Sequence, residues 1–336
     1  MSYKVTVLPS NRVFEVGENE YILDAALQAG LAFPYGCRGG ACGACIGKIV
    51  RGEHYYEEPP IGLCEDDTAQ QLALFCKAKP KSDLEIEVKQ VTSANEITVK
   101  TLPCRVVEMD KLAPDVMRLK LKLPTNERLQ FLPGQYIDIL LRDGRKRSFS
   151  LAIPPHDDEL LELHIRRVDN GFYTKTIFEE MKVKTLLRIE GPHGSFTVDE
   201  ESNRPIIFIG GGTGFAPIKS ILEHLFAENT EQEFIFYWGA RNEELLYLHE
   251  LVGEWQNKHD NFKYIPVLSD VSSESKWQGR TGLVHKAVTQ DFSDLSSHDI
   301  YACGPPPMIE AVNDEFLNYG MDKNRFFSDA FTLAGD

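Results

Sequence analysis

The sequence contains no long apolar segment. None of its uninterrupted apolar runs approaches the roughly 18 residues that a membrane-spanning helix needs. The first residues, Met1 to Phe14, alternate in the manner of a strand and lack the apolar core of a signal peptide. We therefore expect neither a spanning helix nor a cleaved leader, and we expect a soluble, cytoplasmic protein.

Basic residues are scarce relative to acidic ones. The chain has 36 Lys and Arg against 51 Asp and Glu, which gives a formal net charge of −15 at pH 7. A nucleic-acid-binding protein needs a basic surface to neutralise phosphates, and a protein that adheres to anionic membranes needs one too. We therefore expect no nucleic-acid partner, and we expect any docking partner to offer a basic patch. A solvated acidic surface without a binding role would give the same net charge.

Cysteines are also few, but four of the seven follow a pattern. Cys37, Cys42 and Cys45 have the spacing C-x4-C-x2-C, and thirty residues separate Cys45 from Cys76. This spacing is typical of the ligands of a plant-type [2Fe–2S] cluster. Glycines in the loop favour a cluster, because they adopt positive φ and let backbone amides approach the sulfurs. The alternatives are buried structural cysteines or a zinc site, which usually has two C-x2-C pairs where this chain has one. The other three cysteines are scattered, which indicates a reducing compartment.

The periodicity of apolar residues divides the chain into three blocks. Residues 1–92 combine short strands with one helix and the cysteine loop, which predicts a small β-grasp domain. Residues 101–199 hold six strand-like runs separated by Pro and Gly, which predicts an antiparallel β-barrel. Residues 203–336 alternate apolar strands with helices, which predicts a doubly wound α/β domain with a parallel sheet. A polar linker from about Val91 to Leu102 separates the first two blocks.

The same patterns predict individual elements. The predicted helices are Tyr21–Ala29, Tyr173–Met181, Pro217–Ala227, Glu243–Lys258 and Met308–Asn318. The predicted strands are Tyr3–Leu8, Arg12–Val16, Gly47–Val50, Leu84–Gln90, Cys104–Glu108, Val116–Leu123, Tyr136–Leu141, Ser148–Ile153, Leu161–Val168, Thr185–Glu190, Pro205–Ile209, Phe234–Trp238, Lys263–Leu268 and Asp299–Ala302.

A glycine-rich loop follows the first strand of the third block. Gly211-Gly212-Thr213-Gly214 stands between that strand and a helix, where backbone amides and the helix dipole can hold a pyrophosphate. Many such loops are only tight turns. A later strand ends in Cys303-Gly304 and three prolines. Because parallel strands end at the same edge of a sheet, the two loops predict one dinucleotide site.

Polar and cationic residues cluster on the strands of the second block. Arg147-Ser148-Phe149-Ser150 places Arg147 and Phe149 on one face of its strand and both hydroxyls on the other. Taken alone, this run is equally an ordinary amphipathic strand. Downstream, His164-Ile165-Arg166 adds cationic groups suited to a diphosphate. Gly171-Phe172-Tyr173-Thr174 begins the helix of this block, which offers another phosphate site.

These motifs, in this order, resemble the NAD(P)H-dependent ferredoxin-reductase-type flavoproteins with an N-terminal ferredoxin domain. That family includes the reductase components of multicomponent oxygenases and the similar CDP-deoxyglucoseen reductases. The resemblance spans nearly the whole chain. It implies a [2Fe–2S] ferredoxin domain at 1–92, an FAD-binding barrel at 101–199 and an NAD(P)H-binding domain at 203–336.

The resemblance assigns roles in the barrel. In this family the R-x-[YF]-S strand binds flavin, so Arg147 would contact the flavin phosphate and Phe149 would pack on the isoalloxazine. Ser150 would hydrogen-bond N5 and is one of two expected catalytic residues. The family more often has Tyr where this chain has Phe149, so a hydroxyl contact to the ribityl chain is lost. The G-x-x-[ST] element, Gly171 and Thr174 here, resembles the diphosphate site and favours FAD over FMN.

The resemblance also covers the third block. The loop Gly211–Gly214 is similar to the family's nucleotide loop, and Cys303 with Gly304 is similar to its nicotinamide-side motif. Cys303 is the second expected catalytic residue, with its thiol close to the hydride path. The C-terminus of the family often supplies a ring near the flavin, and Phe331 is the candidate here. Core packing is the alternative for the neighbouring Phe326 and Phe327. This tail is more similar to the CDP-deoxyglucoseen reductases than to the benzoate-type reductases.

The implied activity is electron transfer from NAD(P)H through FAD and the cluster to a separate protein. A flavin is needed because nicotinamide gives up two electrons together, whereas the cluster accepts one at a time. Either Glu243 or Glu244 would repel the 2′-phosphate of NADPH, so NADH is the expected donor. Arg241 could instead attract that phosphate and favour NADPH. The expected acceptor is the oxygenase component of a multicomponent system, and the alternative is a deoxysugar dehydrase. A cluster that only senses redox state is a third reading, which the FAD and nucleotide motifs oppose.

Overall fold

The computed structural model describes residues 2–88, 96–168, 171–200, 202–272 and 275–331. They form three large sheets and a small two-stranded ribbon. Along the chain the large sheets are a mixed sheet, an antiparallel barrel and a parallel sheet, as the sequence predicts. None of the helices in these ranges is long and apolar enough to cross a membrane.

The first sheet has the β-grasp arrangement. Its elements are β1 (Ser2–Leu8), β2 (Arg12–Gly17), α1 (Ile22–Gln28), β3 (Ile46–Arg51), β4 (His54–Tyr55), α2 (Glu65–Ala69), β5 (Leu72–Leu74), β6 (Lys79–Pro80) and β7 (Leu84–Glu87). The strand order is β2-β1-β7-β3-β5. The first strand, β1, and the last strand, β7, are neighbours in the sheet and run parallel. Helix α1 buries Ile22, Leu23 and Ala26 against this sheet. The helix ends before Gly30, whose φ of 75° few other residues adopt readily.

The second sheet closes into a barrel. Its elements are β8 (Lys100–Ala113), β9 (Val116–Lys122), β10 (Tyr136–Leu140), β11 (Lys146–Ser150), β12 (Leu161–Arg166), α3 (Phe172–Glu179) and β13 (Leu186–His193). The order is β11-β10-β13-β8-β9-β12, and a bridge between Leu151 and Leu163 joins the two ends. Because β8 begins at Lys100 and Leu102 is buried in the barrel core, the predicted linker extends too far. Residues 89–95, which hold the first part of the predicted linker and the end of the predicted strand Leu84–Gln90, lie outside the described residues.

The third sheet is parallel throughout. Its elements are β14 (Ile206–Gly211), α4 (Phe215–Ala227), β15 (Phe234–Ala240), α5 (His249–Lys258), β16 (Phe262–Leu268), β17 (Arg280–Thr281), α6 (Val284–Asp291), β18 (Asp299–Gly304), α7 (Pro306–Leu317) and β19 (Phe326–Ala330). The order β17-β16-β15-β14-β18-β19 places the topological switch point between β14 and β18, where α/β domains bind ligands. All six residues of β14 are buried, as its apolar run predicts.

The predicted helix Glu243–Lys258 is divided in the structure. A 3-10 turn covers Glu243–Leu245, and α5 begins only at His249. The chain departs from helical geometry here because Leu246 and Tyr247 turn inward and are buried in the core. Burial of these side chains outweighs the helical pattern of the surrounding residues.

Candidate functional site

The four cysteines that the sequence predicts as cluster ligands lie around one loop. Cys37 and Cys42 stand on its outer part and are partly or fully exposed, whereas Cys45 and Cys76 are buried where β3 begins and β5 has ended. The loop is curled by three residues with positive φ: Arg38 at 51°, Gly40 at 78° and Gly43 at 76°. Arg38 is the one of these three that pays a steric cost for this conformation, since the other two lack a Cβ.

Backbone amides of the loop point at the sulfurs. The amide of Gly39 donates to the Cys37 sulfur and the amide of Cys37 donates to the Cys42 sulfur, both over 3.3 Å. Burial tends to raise the pKa of Cys37, but hydrogen bonds from the loop backbone, led by Ala41 and Gly39, lower it to about 7. Thiolates are the form that binds iron, so the amide donors around Cys37 and Cys42 suit a [2Fe–2S] cluster. The pKa of Cys45 is instead raised, by its hydrogen bond with Cys76 and by burial.

The proposed flavin strand β11 lies at one end of the strand order, where the barrel closes. Ser150 is buried and pairs with Tyr136 on the neighbouring strand β10. The Phe149 ring is partly buried against the barrel core and its centre lies 6.4 Å from that of Tyr173. Ser148 donates to the Asp138 carboxylate over 2.6 Å, and the Arg147 guanidinium donates to the Lys146 carbonyl over 3.0 Å. The predicted flavin contacts of this strand stay predictions, with Ser150 set deepest in the protein.

The three residues His164, Ile165 and Arg166 of β12 have different surroundings. Ile165 is buried inside the barrel, whereas the other two face outward. His164 is buried between the Tyr247 hydroxyl at 3.0 Å and the Glu162 carboxylate at 2.9 Å. Arg166 pairs with Asp115 over 2.9 Å and lines the nucleotide cavity. Arg166 is therefore the one of the three whose side chain is placed to meet a phosphate.

The turn before α3 fits a polar cofactor. Thr174 accepts from the Val168 amide over 3.2 Å and donates to the Gly171 carbonyl over 3.2 Å. A Cβ on Gly171 would lie 2.8 Å from the Thr174 hydroxyl, so a larger residue would disturb this turn. Phe172 is exposed, whereas Tyr173 is buried and its hydroxyl has no hydrogen-bond partner among the described residues. An unpaired buried hydroxyl costs free energy, and a bound FAD offers oxygen and nitrogen atoms that could satisfy it.

A cavity of about 360 Å³ opens at the carboxyl ends of β14, β15, β16 and β18. Gly211, Gly212 and Thr213 line it, with Gly212 at a φ of 55°. A Cβ on Gly214 would lie 2.0 Å from the Cys303 carbonyl, so only glycine allows this loop and β18 to approach so closely. The rest of the wall comes from the barrel, with Asp115 and Arg166, and from the later loops and helices, with Arg241, Pro305 and Met308 among them. The cavity lies where the two sequence loops predict a dinucleotide.

Cys303 and Phe331 lie beside the junction between the barrel and the parallel sheet. The Cys303 thiol is fully buried, and burial raises its pKa, with a further increase from the charge of Asp329. The charge of the same carboxylate also raises the pKa of Tyr136 of the barrel, behind the larger effect of burial. The Phe331 amide donates to the Gly304 carbonyl over 2.9 Å, and the Phe331 ring is partly buried against the nucleotide core. The predicted catalytic role of Cys303 and the predicted flavin contact of Phe331 stay predictions.

Several residues around the site carry no sequence motif. Asp115, Glu162, Tyr247 and Asp329 hold or face predicted site residues, but each stands alone in the sequence. One signal was available for β12, because alternation of Leu161, Leu163 and Ile165 predicts that Glu162, His164 and Arg166 share the other face.

Three family models match separate parts of the chain. A 2Fe-2S iron-sulfur cluster binding domain matches residues 5–81, an oxidoreductase FAD-binding domain matches residues 103–198, and an oxidoreductase NAD-binding domain matches residues 208–314. These models confirm the three predicted cofactors: a [2Fe–2S] cluster, FAD and NAD(P)H. The cysteine loop, strand β11 and the cavity described above lie within or beside the matching domains.

Curated relatives align with the full length of the chain. It is 41% identical over 331 residues to the CDP-6-deoxy-L-threo-D-glycero-4-hexulose-3-dehydrase reductase of Yersinia pestis, covering 98% of this chain and 99% of the relative. It is 33% identical over 334 residues to the terephthalate 1,2-dioxygenase reductase component 1 of a Comamonas species, covering 99% of this chain and 98% of the relative.

A solved structure agrees with the same architecture. The Amycolatopsis cytochrome P450 reductase GcoB has a TM-score of 0.67 and 30% identity, and the match covers 99% of this chain and 100% of that one. The order of sheets is therefore shared with a reductase whose structure is known.

Proposed function

Because the chain belongs to the family of NAD(P)H-dependent flavoprotein reductases with an N-terminal [2Fe–2S] domain, we propose an acceptor for its electrons. The protein is an oxidoreductase that passes electrons from NAD(P)H through FAD and the cluster to a partner protein. The proposed partner is a dehydrase that acts on a CDP-linked deoxyhexulose. The observation that carries this choice is the 41% identity to a reductase of such a dehydrase, against 33% for a dioxygenase reductase.

An oxygenase component is the second candidate, and it is the acceptor expected first from the family resemblance of the sequence. Full-length similarity to the Comamonas dioxygenase reductase supports it. The two candidates share all chemistry inside the chain and differ only in the protein that docks. FAD, when bound, accepts the electron pair of the nicotinamide and releases single electrons to the cluster.

The chain's own residues prepare these steps. We assign Ser150 to flavin N5, Arg147 and Arg166 to phosphates, and Gly211–Gly214 to the dinucleotide. Support comes from the burial of Ser150 on β11 and the position of Arg166 at the cavity. The domain boundaries 1–92, 101–199 and 203–336 belong to the same proposal. So does a cytoplasmic location, which the three cysteines outside the cluster favour, since Cys64, Cys104 and Cys303 form no disulfide.

The acceptor is proposed to dock beside the exposed part of the cluster loop. Segment 57–67 lies beside this part of the loop, and its Gly62 amide donates to the Gly40 carbonyl over 2.8 Å. Ile61 at the tip of the segment is 93% exposed. Glu57, Glu58, Glu65 and Asp66 flank Ile61 and are exposed. An apolar tip with an acidic surround suits a partner that has an apolar pocket and a basic rim.

The experiment supplies both acceptors to the same holo-protein. With NADH as donor, one sample receives a CDP-6-deoxyhexulose 3-dehydrase and its sugar substrate, and the other receives a terephthalate dioxygenase and terephthalate. We expect sugar product with the dehydrase at a stoichiometry of one NADH per turnover, and no product with the oxygenase. The reverse result would replace the proposed acceptor by the second candidate.

A further inference from the structure

A buried stretch of chain connects the proposed flavin strand to the cluster loop. This connecting segment (residues 150–158) leaves β11 at Ser150 and ends at Asp158, and its residues 151–155 are all buried. Helix α4 holds its first half. Lys219 donates to the Ala152 carbonyl over 2.7 Å, and Ser220 donates to the Ile153 carbonyl over 2.6 Å. The segment is therefore tied to the nucleotide domain close to the flavin strand.

The far end of the connecting segment meets the cluster loop. Asp158 has a side chain that is 1% exposed, and its carboxylate lies 3.1 Å from the Arg38 guanidinium. Arg38 is the residue directly after the cluster ligand Cys37. Arg128 of the barrel also approaches this carboxylate, at 3.8 Å. The charge on Asp158 thus connects the barrel to a residue inside the cluster-binding loop.

Tyr35 strengthens the same contact without a charge. Its hydroxyl lies 3.3 Å from the Leu129 carbonyl and 3.5 Å from the Pro155 carbonyl, and it can donate to one of the two. The Arg38 guanidinium lies over the Tyr35 ring at 4.5 Å. The ferredoxin domain therefore meets the connecting segment through the Arg38 guanidinium at Asp158, while the Tyr35 hydroxyl lies between the Leu129 and Pro155 carbonyls with one proton to donate.

We propose that Asp158 is a positioning residue for the electron step from FAD to the cluster. Its buried pair with Arg38 fixes the cluster loop relative to the strand that carries Ser150. Without the Asp158 carboxylate, the Arg38 guanidinium keeps only the more distant Asp24, at 3.7 Å within the ferredoxin domain, so the ionic contact that ties the loop to the barrel is lost. The inference rests on the proposed placement of FAD against β11.

Charge and position predict opposite effects of losing this carboxylate. A more positive surrounding stabilises the reduced cluster and raises its potential, which increases the driving force for the electron step. If Asp158 acted only through its charge, the variant Asp158→Asn would pass electrons to the cluster as fast as the wild type, or faster. If Asp158 holds the loop in place, the same variant slows this step.

The test follows anaerobic reduction of the holo-protein by NADH in a stopped-flow instrument, with the flavin and cluster absorption bands read separately. In Asp158→Asn we expect flavin reduction to keep its wild-type rate. We expect cluster reduction to slow by about ten- to a hundredfold, the range that small misplacements of reacting groups cause. A redox titration should give a cluster potential that is unchanged or higher.

Asp24→Asn is the matched control. The Asp24 carboxylate lies 3.7 Å from the same guanidinium, but it belongs to helix α1 of the ferredoxin domain itself. Its loss removes a negative charge near Arg38 without cutting the contact between domains. We expect its cluster reduction to stay close to the wild-type rate, and slowing equal to that of Asp158→Asn would overturn the proposal.

Two further results would overturn it: cluster reduction in Asp158→Asn that is no slower than in the wild type, and flavin reduction that slows to the same extent. If Asp158→Asn does not retain its cofactors, Tyr35→Phe decides, because it removes the hydroxyl near Pro155 without changing charge. We expect a smaller slowing of the same step there, and an unchanged rate overturns the proposal. The assay contains no acceptor protein, so its result is independent of the proposed dehydrase.

Discussion

The barrel contacts its two neighbouring domains in different ways. Its junction with the nucleotide domain is a buried hydrogen-bonded network. Neutral His164 donates to the Glu162 carboxylate and accepts from the Tyr247 hydroxyl, because a carboxylate at Nε2 requires the proton there. Lys219 is buried beside them and donates to Ala152 and Glu223.

The contact with the ferredoxin domain is lighter. Besides the pair of Arg38 and Asp158, it has the Tyr35 amide donating to the Gln130 side chain over 3.2 Å and Gln130 donating to the Phe33 carbonyl over 3.3 Å. The Tyr35 hydroxyl beside the Leu129 and Pro155 carbonyls and a small apolar group of Ala32, Ile97 and Leu132 add to these contacts. A few charged and polar groups thus do here what a continuous network does at the other junction.

The difference follows the chemistry that each junction serves. Hydride transfer between nicotinamide and flavin needs two ring systems in contact and oriented, which demands a rigid junction. Transfer of a single electron to the cluster needs a fixed distance but no contact between reacting atoms. A light contact is sufficient for that step, so disruption of each junction should produce a different failure.

The largest expected effect comes from breaking the exit end alone. In Cys42→Ser the cluster loses an exposed ligand, and we expect reduction of cytochrome c to be abolished because electrons leave through the cluster. Reduction of the flavin by NADH should be largely spared, since Cys42 lies outside the barrel and nucleotide junction. Steady-state cytochrome c reduction and stopped-flow flavin reduction measure the two halves.

Flavin content serves as the control for this variant. A protein that keeps FAD and still loses both activities equally would contradict the order NADH, FAD, cluster.

The rigid junction is tested by Glu162→Gln. Burial tends to raise the pKa of Glu162, but the hydrogen bond from His164 and the charge of Lys219 lower it from 4.5 to about 2. This difference corresponds to about 3 kcal/mol of stability at neutral pH. We expect a loss of this order in the free energy of unfolding, measured by urea denaturation at pH 7.

The pH dependence gives this prediction its sign. A carboxylate with a lowered folded-state pKa stabilises the protein above pH 4.5, and that contribution is lost as the pH falls through about 2. The gap in stability between wild type and Glu162→Gln should therefore narrow as the pH is lowered from 5. A gap that stays constant from pH 7 to 3 would show that the hydrogen bonds matter and the charge does not.

The two junctions also differ in how far the sequence predicts them. The predicted cluster ligands follow from local spacing, since Cys37, Cys42 and Cys45 share one loop. The pair of Arg38 and Asp158 does not, because its members are 120 positions apart in the sequence and neither stands in a motif that predicts the other. Contacts between domains depend on how finished domains pack, which no local pattern records.

Within domains, the predictions fail where an element is short or where its apolar residues do not follow the periodicity of a helix or a strand. Strands β14, β15 and β18 are continuous apolar runs and were predicted to within a few residues. Helix α6 was missed because it has only eight residues and low apolar content, and β19 was missed because none of its five residues is buried. The flavin role of β11 was predicted from family resemblance and stays a prediction, since the alternation of this strand alone also fits an ordinary amphipathic strand.

A smaller effect is expected at the docking tip. Ile61→Ala removes apolar surface that the acceptor is proposed to cover, which should raise the KM for the acceptor about tenfold. Val13→Ala is the matched control, because Val13 is also an exposed apolar residue of this domain but lies on the edge strand β2. Ferricyanide reduction should be unchanged in both variants, and an unchanged KM in Ile61→Ala would move the docking site elsewhere.

The smallest effect is expected at the donor end, where Arg241→Ala leaves both junctions intact. Arg241 lines the nucleotide cavity, whereas Glu243 and Glu244 are exposed and are not among the lining residues. The cation is therefore better placed than either carboxylate to meet a 2′-phosphate, which weighs against the preference for NADH drawn from the sequence.

We expect Arg241→Ala to lower kcat/KM for NADPH by less than about fivefold, because Arg241 is exposed and its attraction is screened. The same variant should leave kcat/KM for NADH almost unchanged, since NADH has no 2′-phosphate. The ratio of the two values, measured with ferricyanide as acceptor, isolates this contact from every later step. If the ratio is unchanged, Arg241 does not read the 2′ position, and selection must come from elsewhere in the cavity.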